Sequence, residues 1–232
     1  MRFVIPPRRD AGFVAAMESV LDTYAAPPDP RVPLVCFDEA GKELQAEVTP
    51  PLPARPGALA REDPEYHRHG SANLFMLYAP HIGWRQVTVT TQRTAVEWAL
   101  AMRALVDVHF PDAERIIVVL DNLNTHRLAS LYTSFAPVEA HRIARRLDLR
   151  FTPKHGSWLN MAEIELSVLA RQCLARRIPD RPTLEAEVAA WVDARNAVAA
   201  PAHWTFTSDD ARTRLTHLYP FPICDTTTWT DH

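Results

Sequence analysis

The amino-acid sequence predicts an α/β fold in which a mixed five-stranded sheet is flanked by helices. Three observations lead to this prediction. Short apolar runs alternate with longer segments of helical periodicity. The first three apolar runs are not separated by a helix, so they are free to form an antiparallel meander. The later runs alternate with helical segments, which is an α/β order.

The N-terminal half predicts one helix followed by three strands. Prolines at Pro27, Pro28 and Pro30 end the helical pattern. The next apolar run is short and uninterrupted, which fits a buried strand, and it ends at Asp38. A proline-rich stretch over 49–70 is longer than ordinary connections, so we expect it to be functional or disordered. The predicted elements are a helix at Ala11–Tyr24 and strands at Leu34–Phe37, Asn73–Tyr78 and Gln86–Thr91.

The C-terminal half alternates helices with strands. Thr94 and Glu97 have the spacing of a capping box, and Pro111 ends the helix that they begin. The β-branched run before Asp121 is expected in a central strand that is covered on both faces. The predicted elements are helices at Thr94–Phe110, Val138–Leu147, Met161–Arg177 and Thr183–Val198, and strands at Arg115–Leu120 and Leu149–Thr152.

This order of elements is that of the ribonuclease-H-like fold, which on the pattern alone is one candidate among several mixed-sheet folds. Asp38 and Asp121 each close an apolar strand, and adjacent strands would bring both carboxylates to one edge of the sheet, where ligands bind. A third acid stands on the opening turn of a helix. Glu163 and Glu165 compete for that place, and because they lie about 200° apart around the helix, they cannot share a face. Taken singly, all these acids also have ordinary interpretations as strand-end or helix-capping residues.

Composition limits the class of protein. A chain of 232 residues, of which 47% are hydrophobic, is expected to form one large domain with a substantial core. Neither a signal-peptide core nor a membrane segment is apparent, so a cytoplasmic protein without a membrane partner is expected. Cys36, Cys173 and Cys224 include no CxxC pair, so neither a disulfide framework nor a structural zinc site is predicted.

Positive charge is concentrated in one segment. The formal net charge is −3, but residues 142–181 hold nine basic and four acidic residues, which makes this segment +5 and the remainder −8. Arginine dominates, which suits bidentate phosphate contacts and equally fits a codon bias. A solvated helix face or hydrogen-bonded loop histidines would also explain single residues here. The candidate phosphate contacts are His126, Arg145, Arg146, Lys154 and His155.

Five sequence strings occur together in a characteristic order. They are CFDE at 36–39, YHRHGSANLF at 66–75, LDNLNTH at 120–126, PKHGSWLNMAEIE at 153–165 and RNAVAAPAHWTF at 195–206. With these strings the chain resembles the DDE transposases of the mariner-like superfamily, and within it the bacterial insertion-sequence 630 group. The resemblance extends from Ile5 to Trp204.

The resemblance implies a catalytic site and its cofactors. Its three acids would be Asp38, Asp121 and Glu163, since LNxxE is the family's spacing, with Glu165 as the alternative third acid. They would hold two Mg²⁺ or Mn²⁺ ions, and carboxylates are the ligands that such hard cations prefer. Two cations about 3.5–4 Å apart activate the attacking oxygen and stabilise the leaving oxygen of an in-line phosphodiester displacement. The implied reaction is cleavage of double-stranded DNA at transposon ends, followed by strand transfer into target DNA.

The chain would divide into an N-terminal arm at 1–32, a catalytic domain at 33–205 and a C-terminal tail at 206–232. Family members carry a helix-turn-helix module before the catalytic domain, but only about thirty residues precede Asp38. We therefore expect a catalytic portion that acts as a homodimer and draws on a separate helix-turn-helix chain. Two alternatives stay open: an inactive remnant that binds DNA or dimerises, and a ribonuclease-H-like nuclease that acts on RNA or hybrids.

Overall fold

A five-stranded mixed sheet is the centre of the fold. In this computed structural model, which describes residues 9–61 and 63–221, the strands lie in the order β3-β2-β1-β4-β5. The first three are antiparallel neighbours, whereas β4 runs parallel to β1 and β5 parallel to β4. The predicted mixed sheet and its antiparallel meander are confirmed. The strands are β1 (Leu34–Glu47), β2 (Tyr66–Ala79), β3 (Trp84–Thr90), β4 (Ile116–Leu120) and β5 (Leu147–Phe151).

Helices cover both faces of this sheet. Side chains of the helices α1, α5, α6 and α7 form one hydrophobic layer with Leu34 and Cys36, and α2, α3 and α4 form the other with Val35 and Phe37. Because successive side chains of a strand point to opposite faces, β1 must be apolar at all four positions. The helices are α1 (Ala11–Ala25), α2 (Ala95–Ala104), α3 (Leu128–Ser134), α4 (Pro137–Ala144), α5 (Met161–Gln172), α6 (Arg181–Val198) and α7 (Ser208–Arg214).

The hairpin of β1 and β2 is much longer than predicted. β1 continues from Asp38 to Glu47, and β2 begins at Tyr66, inside the stretch expected to be a loop. Beyond Phe37 this part of β1 has only β2 beside it, and Leu44 is its one buried residue. A half-exposed two-stranded ribbon does not need an apolar sequence, so an apolar run predicts only the part that enters the core.

Other boundaries differ from the predictions because of local contacts. The helix predicted to end at Arg177 ends at Gln172, and the strand predicted from Leu149 begins two residues earlier, at Leu147. The helix expected to run to Phe110 finishes in a π-helical turn at Leu105–His109. The α3 helix was not predicted, because its seven residues are too few to show a clear period.

Parts of the predicted arm and tail contribute to the same core. Met17 and Val20 of α1, Ala211 of α7 and Leu218 are all fully buried in one hydrophobic cluster with β1 and β2. The domain boundaries at 32/33 and 205/206 stay a prediction. Ile5 and Cys224, which entered the sequence analysis, lie outside the described residues. Among the residues at 9–61 and 63–221, no helix combines the length and apolar character that a membrane crossing requires.

Candidate active site

Two parallel strands bring the first two acids together. The pairing of β1 with β4 sets Leu34 against Ile117 and Cys36 against Val119. The same register, carried two residues further, sets Asp38 beside Asp121. The constant spacing between the two strands therefore places both carboxylates at one end of the sheet centre, where open α/β sheets bind ligands.

The third acid comes from the first turn of α5, and Asn160 holds that helix in place. The side-chain oxygen of Asn160 accepts a hydrogen bond from the backbone N–H of Ala162 at 3.1 Å, which caps the helix. Its side-chain nitrogen donates to the carbonyl oxygen of Phe37 at 2.8 Å, next to Asp38. One buried amide thus ties the start of α5 to β1 and directs Glu163 toward the strand ends.

Asp38, Asp121 and Glu163 line one cleft of about 430 Å³ together with Glu39. The pKa of Asp38 is raised to about 7, mainly by burial and also by the negative charges of Glu39, Asp121 and Glu163, while a hydrogen bond from the backbone N–H of Glu39 opposes the shift. The negative charge of the carboxylates in the cleft thus exceeds the positive charge near them.

The donor set of this cleft fits a hard divalent cation. The Oε2 atom of Glu163 is buried and has no hydrogen-bond partner among residues 9–61 and 63–221. A buried carboxylate oxygen without a partner is costly unless a cation or proton compensates it, and oxygen ligands suit Mg²⁺ and Mn²⁺. Within the described residues, no three His, Cys, Asp or Glu side chains are already gathered closely enough to hold one ion.

A buried histidine connects Asp121 to a further acid. The Nδ1 atom of His126 lies 2.5 Å from Oδ1 of Asp121, and Nε2 lies 3.2 Å from Oε2 of Glu39. Burial lowers the pKa of His126, but its contacts with Asp121 and Glu39 more than offset this and raise it to about 9. The ring packs edge-on against Phe37 and stacks on Trp98. His126 is therefore an imidazolium at neutral pH that contacts one oxygen of Asp121.

Glu39 was missed in the sequence analysis. It follows Asp38 directly in the CFDE string, and its side chain is 5% exposed. A second acid at the end of an apolar strand was the available signal, but nothing in the sequence shows that its partner is His126.

Glu163 and Glu165 have different surroundings. Glu165 is buried and its Oε1 atom lies 2.8 Å from Nε of Arg85 and 3.1 Å from Nη2 of Arg195. These two guanidinium groups neutralise it on the side of α5 that faces β3 and α6. Of the two acids, only Glu163 lines the cleft with Asp38. Which acid acts in catalysis stays a prediction, and the geometry favours Glu163.

The predicted phosphate contacts fall into two groups. Arg145, Lys154 and His155 are exposed. In contrast, the guanidinium of Arg146 donates to backbone carbonyl oxygens of Val106, Phe110, Pro111 and Ala113, so it holds the end of the π-helical turn. His126 is 2% exposed, and both of its ring nitrogens already contact carboxylates. The structure therefore argues against phosphate contacts by Arg146 and His126.

Comparisons with known proteins agree on one family and one fold. A family model described as DDE superfamily endonuclease matches residues 33–185. Among curated proteins none matches the chain. The structure is similar to the Mos1 mariner paired end complex with Mn (14% identity, TM-score 0.55, 87% of this chain and 62% of that chain). It is also similar to the mariner Mos1 paired end complex with Mg (14%, 0.54, 94% and 66%) and to the Mos1 strand transfer complex (14%, 0.51, 85% and 58%).

These similarities confirm the ribonuclease-H-like fold. The chain spans less than two thirds of the length of each of these three structures. At 14% identity the match concerns the fold, and it leaves the assignment to the insertion-sequence 630 group a prediction.

Proposed function

Because the chain belongs to the DDE superfamily endonucleases, we propose that it is the catalytic part of a transposase, which cleaves DNA strands and joins them to a target. One observation carries this proposal: three acids from β1, the end of β4 and α5 line a single cleft. Water attacks a backbone phosphorus, loses a proton, and displaces the 3′ oxygen, which leaves as a hydroxyl. That hydroxyl then loses its proton as it attacks a target phosphodiester, and the second 3′ oxygen that it displaces takes up a proton and leaves as a hydroxyl. No protein nucleophile is needed.

In this proposal Asp38, Asp121 and Glu163 would hold two divalent cations, Mg²⁺ or Mn²⁺. When bound, such ions make the attacking oxygen reactive and stabilise the leaving oxygen. The protein's own residues orient these ligands. His126 holds one oxygen of Asp121, Asn160 sets the start of α5, and the apolar layers on either side of β1 leave Asp38 partly buried.

The proposed partners are DNA and further protein chains. Double-stranded DNA, as transposon end and as target, is the substrate that the family implies. A homodimer completes the proposal, because strand transfer needs two transposon ends. The related Mos1 structures are described as paired end and strand transfer complexes.

Nicking of supercoiled plasmid tests this function. We expect nicking by the wild-type chain with Mn²⁺ or Mg²⁺ and none in EDTA. Asp38→Asn, Asp121→Asn and Glu163→Gln should each lower the rate by a factor of at least about 100, because each removes a ligand charge. Asp112→Asn, which changes an exposed acid, is the matched control and should keep the wild-type rate.

Equal rates for wild type and the three site variants would overturn the proposal. If all of them are inactive and calorimetry detects no Mn²⁺ binding, the chain is instead an inactive remnant. Preferential cutting of an RNA–DNA hybrid in the same assay would favour the ribonuclease alternative.

A further inference from the structure

An open groove runs along β5 at the edge of the sheet. It has a volume of about 660 Å³ and lies between β5, the start of α3 and the end of α4. Leu149 and Phe151 form part of its apolar lining, whereas Arg115, Arg127 and Arg145 supply guanidinium groups. In the described part of the chain β5 pairs only with β4, so the groove lies against an open sheet edge.

The three arginines of this basic groove carry uncompensated charge. All are exposed, and none has an ion pair, a side-chain hydrogen bond or a ring contact with residues 9–61 and 63–221. Asp148 is the one acid in the lining, and Arg150 already binds it at 2.9 Å. Arginines that stabilise this fold, such as Arg85 and Arg212, form ion pairs with acids. The three arginines of the basic groove form none with the described residues, so their combined positive charge favours an anionic ligand.

The basic groove meets the acid cleft at the ends of two strands. Asn122 lines the groove and its neighbour Asp121 lines the cleft, while Phe151 lines the groove and its neighbour Thr152 lines the cleft. Lys154 follows on the loop after β5 and is also exposed. A chain of phosphates that lies in the groove would therefore continue into the candidate active site.

We propose that the basic groove binds the phosphate backbone of duplex DNA and directs it into the cleft. This inference rests on the proposed function, because the ligand is the substrate of that site. Without bound cations the four carboxylates of the cleft repel phosphate, so in EDTA the attraction that seats DNA must come from outside the cleft. Arginine suits this task, since its planar fork binds phosphate oxygens in pairs. Such contacts position DNA without reading its sequence.

Fluorescence anisotropy with a labelled duplex of about 30 base pairs tests the groove. Binding is measured in EDTA over a range of salt concentrations for the wild type, Arg127→Ala, Arg145→Ala and the double variant. We expect the slope of log K against log salt to become shallower by about 0.9 for each arginine removed. The groove variants should lose the same affinity for a second duplex of unrelated sequence.

Arg142→Ala and Arg212→Ala are matched controls. Each removes one positive charge, but Arg142 is already paired with Asp107 and Glu139, and Arg212 with Glu18 and Asp209. Both controls should keep the wild-type slope. Circular dichroism shows whether each variant is folded.

The groove proposal falls if the wild type does not bind the duplex, or if the groove variants and the controls lose affinity equally. These outcomes differ from a failure of the proposed function. A wild type that nicks plasmid while the groove variants bind normally overturns the groove alone. Groove-dependent binding without metal-dependent nicking overturns the catalytic proposal and leaves the groove in place.

Discussion

His126 shows how a single residue can control the geometry of a neighbour. Its two ring nitrogens contact two different acids of the cleft, Asp121 and Glu39. The second oxygen of Asp121 has no hydrogen bond among the described residues, so it is free to bind a ligand. Residues that hold a metal ligand from behind fix its orientation and tune its basicity.

Two substitutions separate the contacts of His126. An asparagine amide nitrogen lies near the position of Nδ1, so His126→Asn keeps the contact with Asp121, whereas His126→Gln keeps the one with Glu39. We expect Gln to weaken Mn²⁺ binding by roughly 10- to 100-fold and Asn by much less. Titration calorimetry measures the affinities, and thermal unfolding checks that both variants fold. Equal losses in both variants would show that His126 does not orient Asp121.

Asp38 should make stability depend on pH. Burial, together with nearby acids, raises the pKa of Asp38 to about 7 in the folded chain, against about 4 when unfolded. The folded state therefore binds this proton more tightly, and its contribution to stability is lost as pH rises through that range.

Asp38→Asn removes this loss. In EDTA at about pH 8 the variant should be more stable than wild type by up to about 4 kcal/mol, and at about pH 4 the difference should disappear. Urea denaturation at both pH values measures it, with Asp112→Asn as the exposed control. A variant that is less stable than wild type at pH 8 would contradict the argument.

At the scale of elements, Asn160 performs two tasks where most helix caps perform one. Asp180 at the start of α6 also caps its helix, accepting from the backbone N–H of Thr183 at 2.8 Å, but it is exposed and forms no hydrogen bond to a second element in the described part of the chain. Comparing the two caps therefore isolates how much the hydrogen bond from Asn160 to Phe37 contributes to stability.

Asn160→Ala should cost about 2–4 kcal/mol, because it removes a cap and leaves the buried carbonyl of Phe37 without its donor. Asp180→Ala should cost only about 1 kcal/mol. Urea unfolding gives both values. Equal costs would mean that the hydrogen bond to Phe37 contributes little, and that α5 is held by packing alone.

At the scale of the whole molecule, the C-terminal segment behaves as part of the core. Leu218 is fully buried, and Ser208 and Arg212 form hydrogen bonds with Asp22 and Glu18 of α1. Leu218→Ala should therefore destabilise the whole fold by about 2–5 kcal/mol. Leu59→Ala, at a residue that is 88% exposed, should change stability by less than about 0.5 kcal/mol.

Chemical denaturation followed by two probes tests this prediction. Tryptophan fluorescence, to which residues of both layers contribute, and the circular dichroism of the helices should shift together in Leu218→Ala. A shift in one signal alone would mean that the segment around α7 unfolds separately from the sheet.

The buried elements of the fold were the ones that the sequence predicted correctly. The apolar runs at Leu34–Phe37 and Ile116–Leu120 predicted the two central strands, since strands covered on both faces need such runs. Three parts of the fold were not predicted: the polar half of the β1–β2 hairpin, the helix α3 and the helix α7. Neither composition nor periodicity marks elements that are short or half-exposed.

The sequence by itself determined the family, the order of the five strands and the candidate acids, because these depend on residue type and spacing along the chain. Only the tertiary structure decided which residues meet. Glu39 reaches His126, Glu165 pairs with Arg85 on the far side of α5, and Arg146 donates to a backbone carbonyl oxygen at the end of the π-helical turn. The physical reason is that a charged side chain takes its role from its partners and its burial. Strand register, helix orientation and packing between distant segments set both of these.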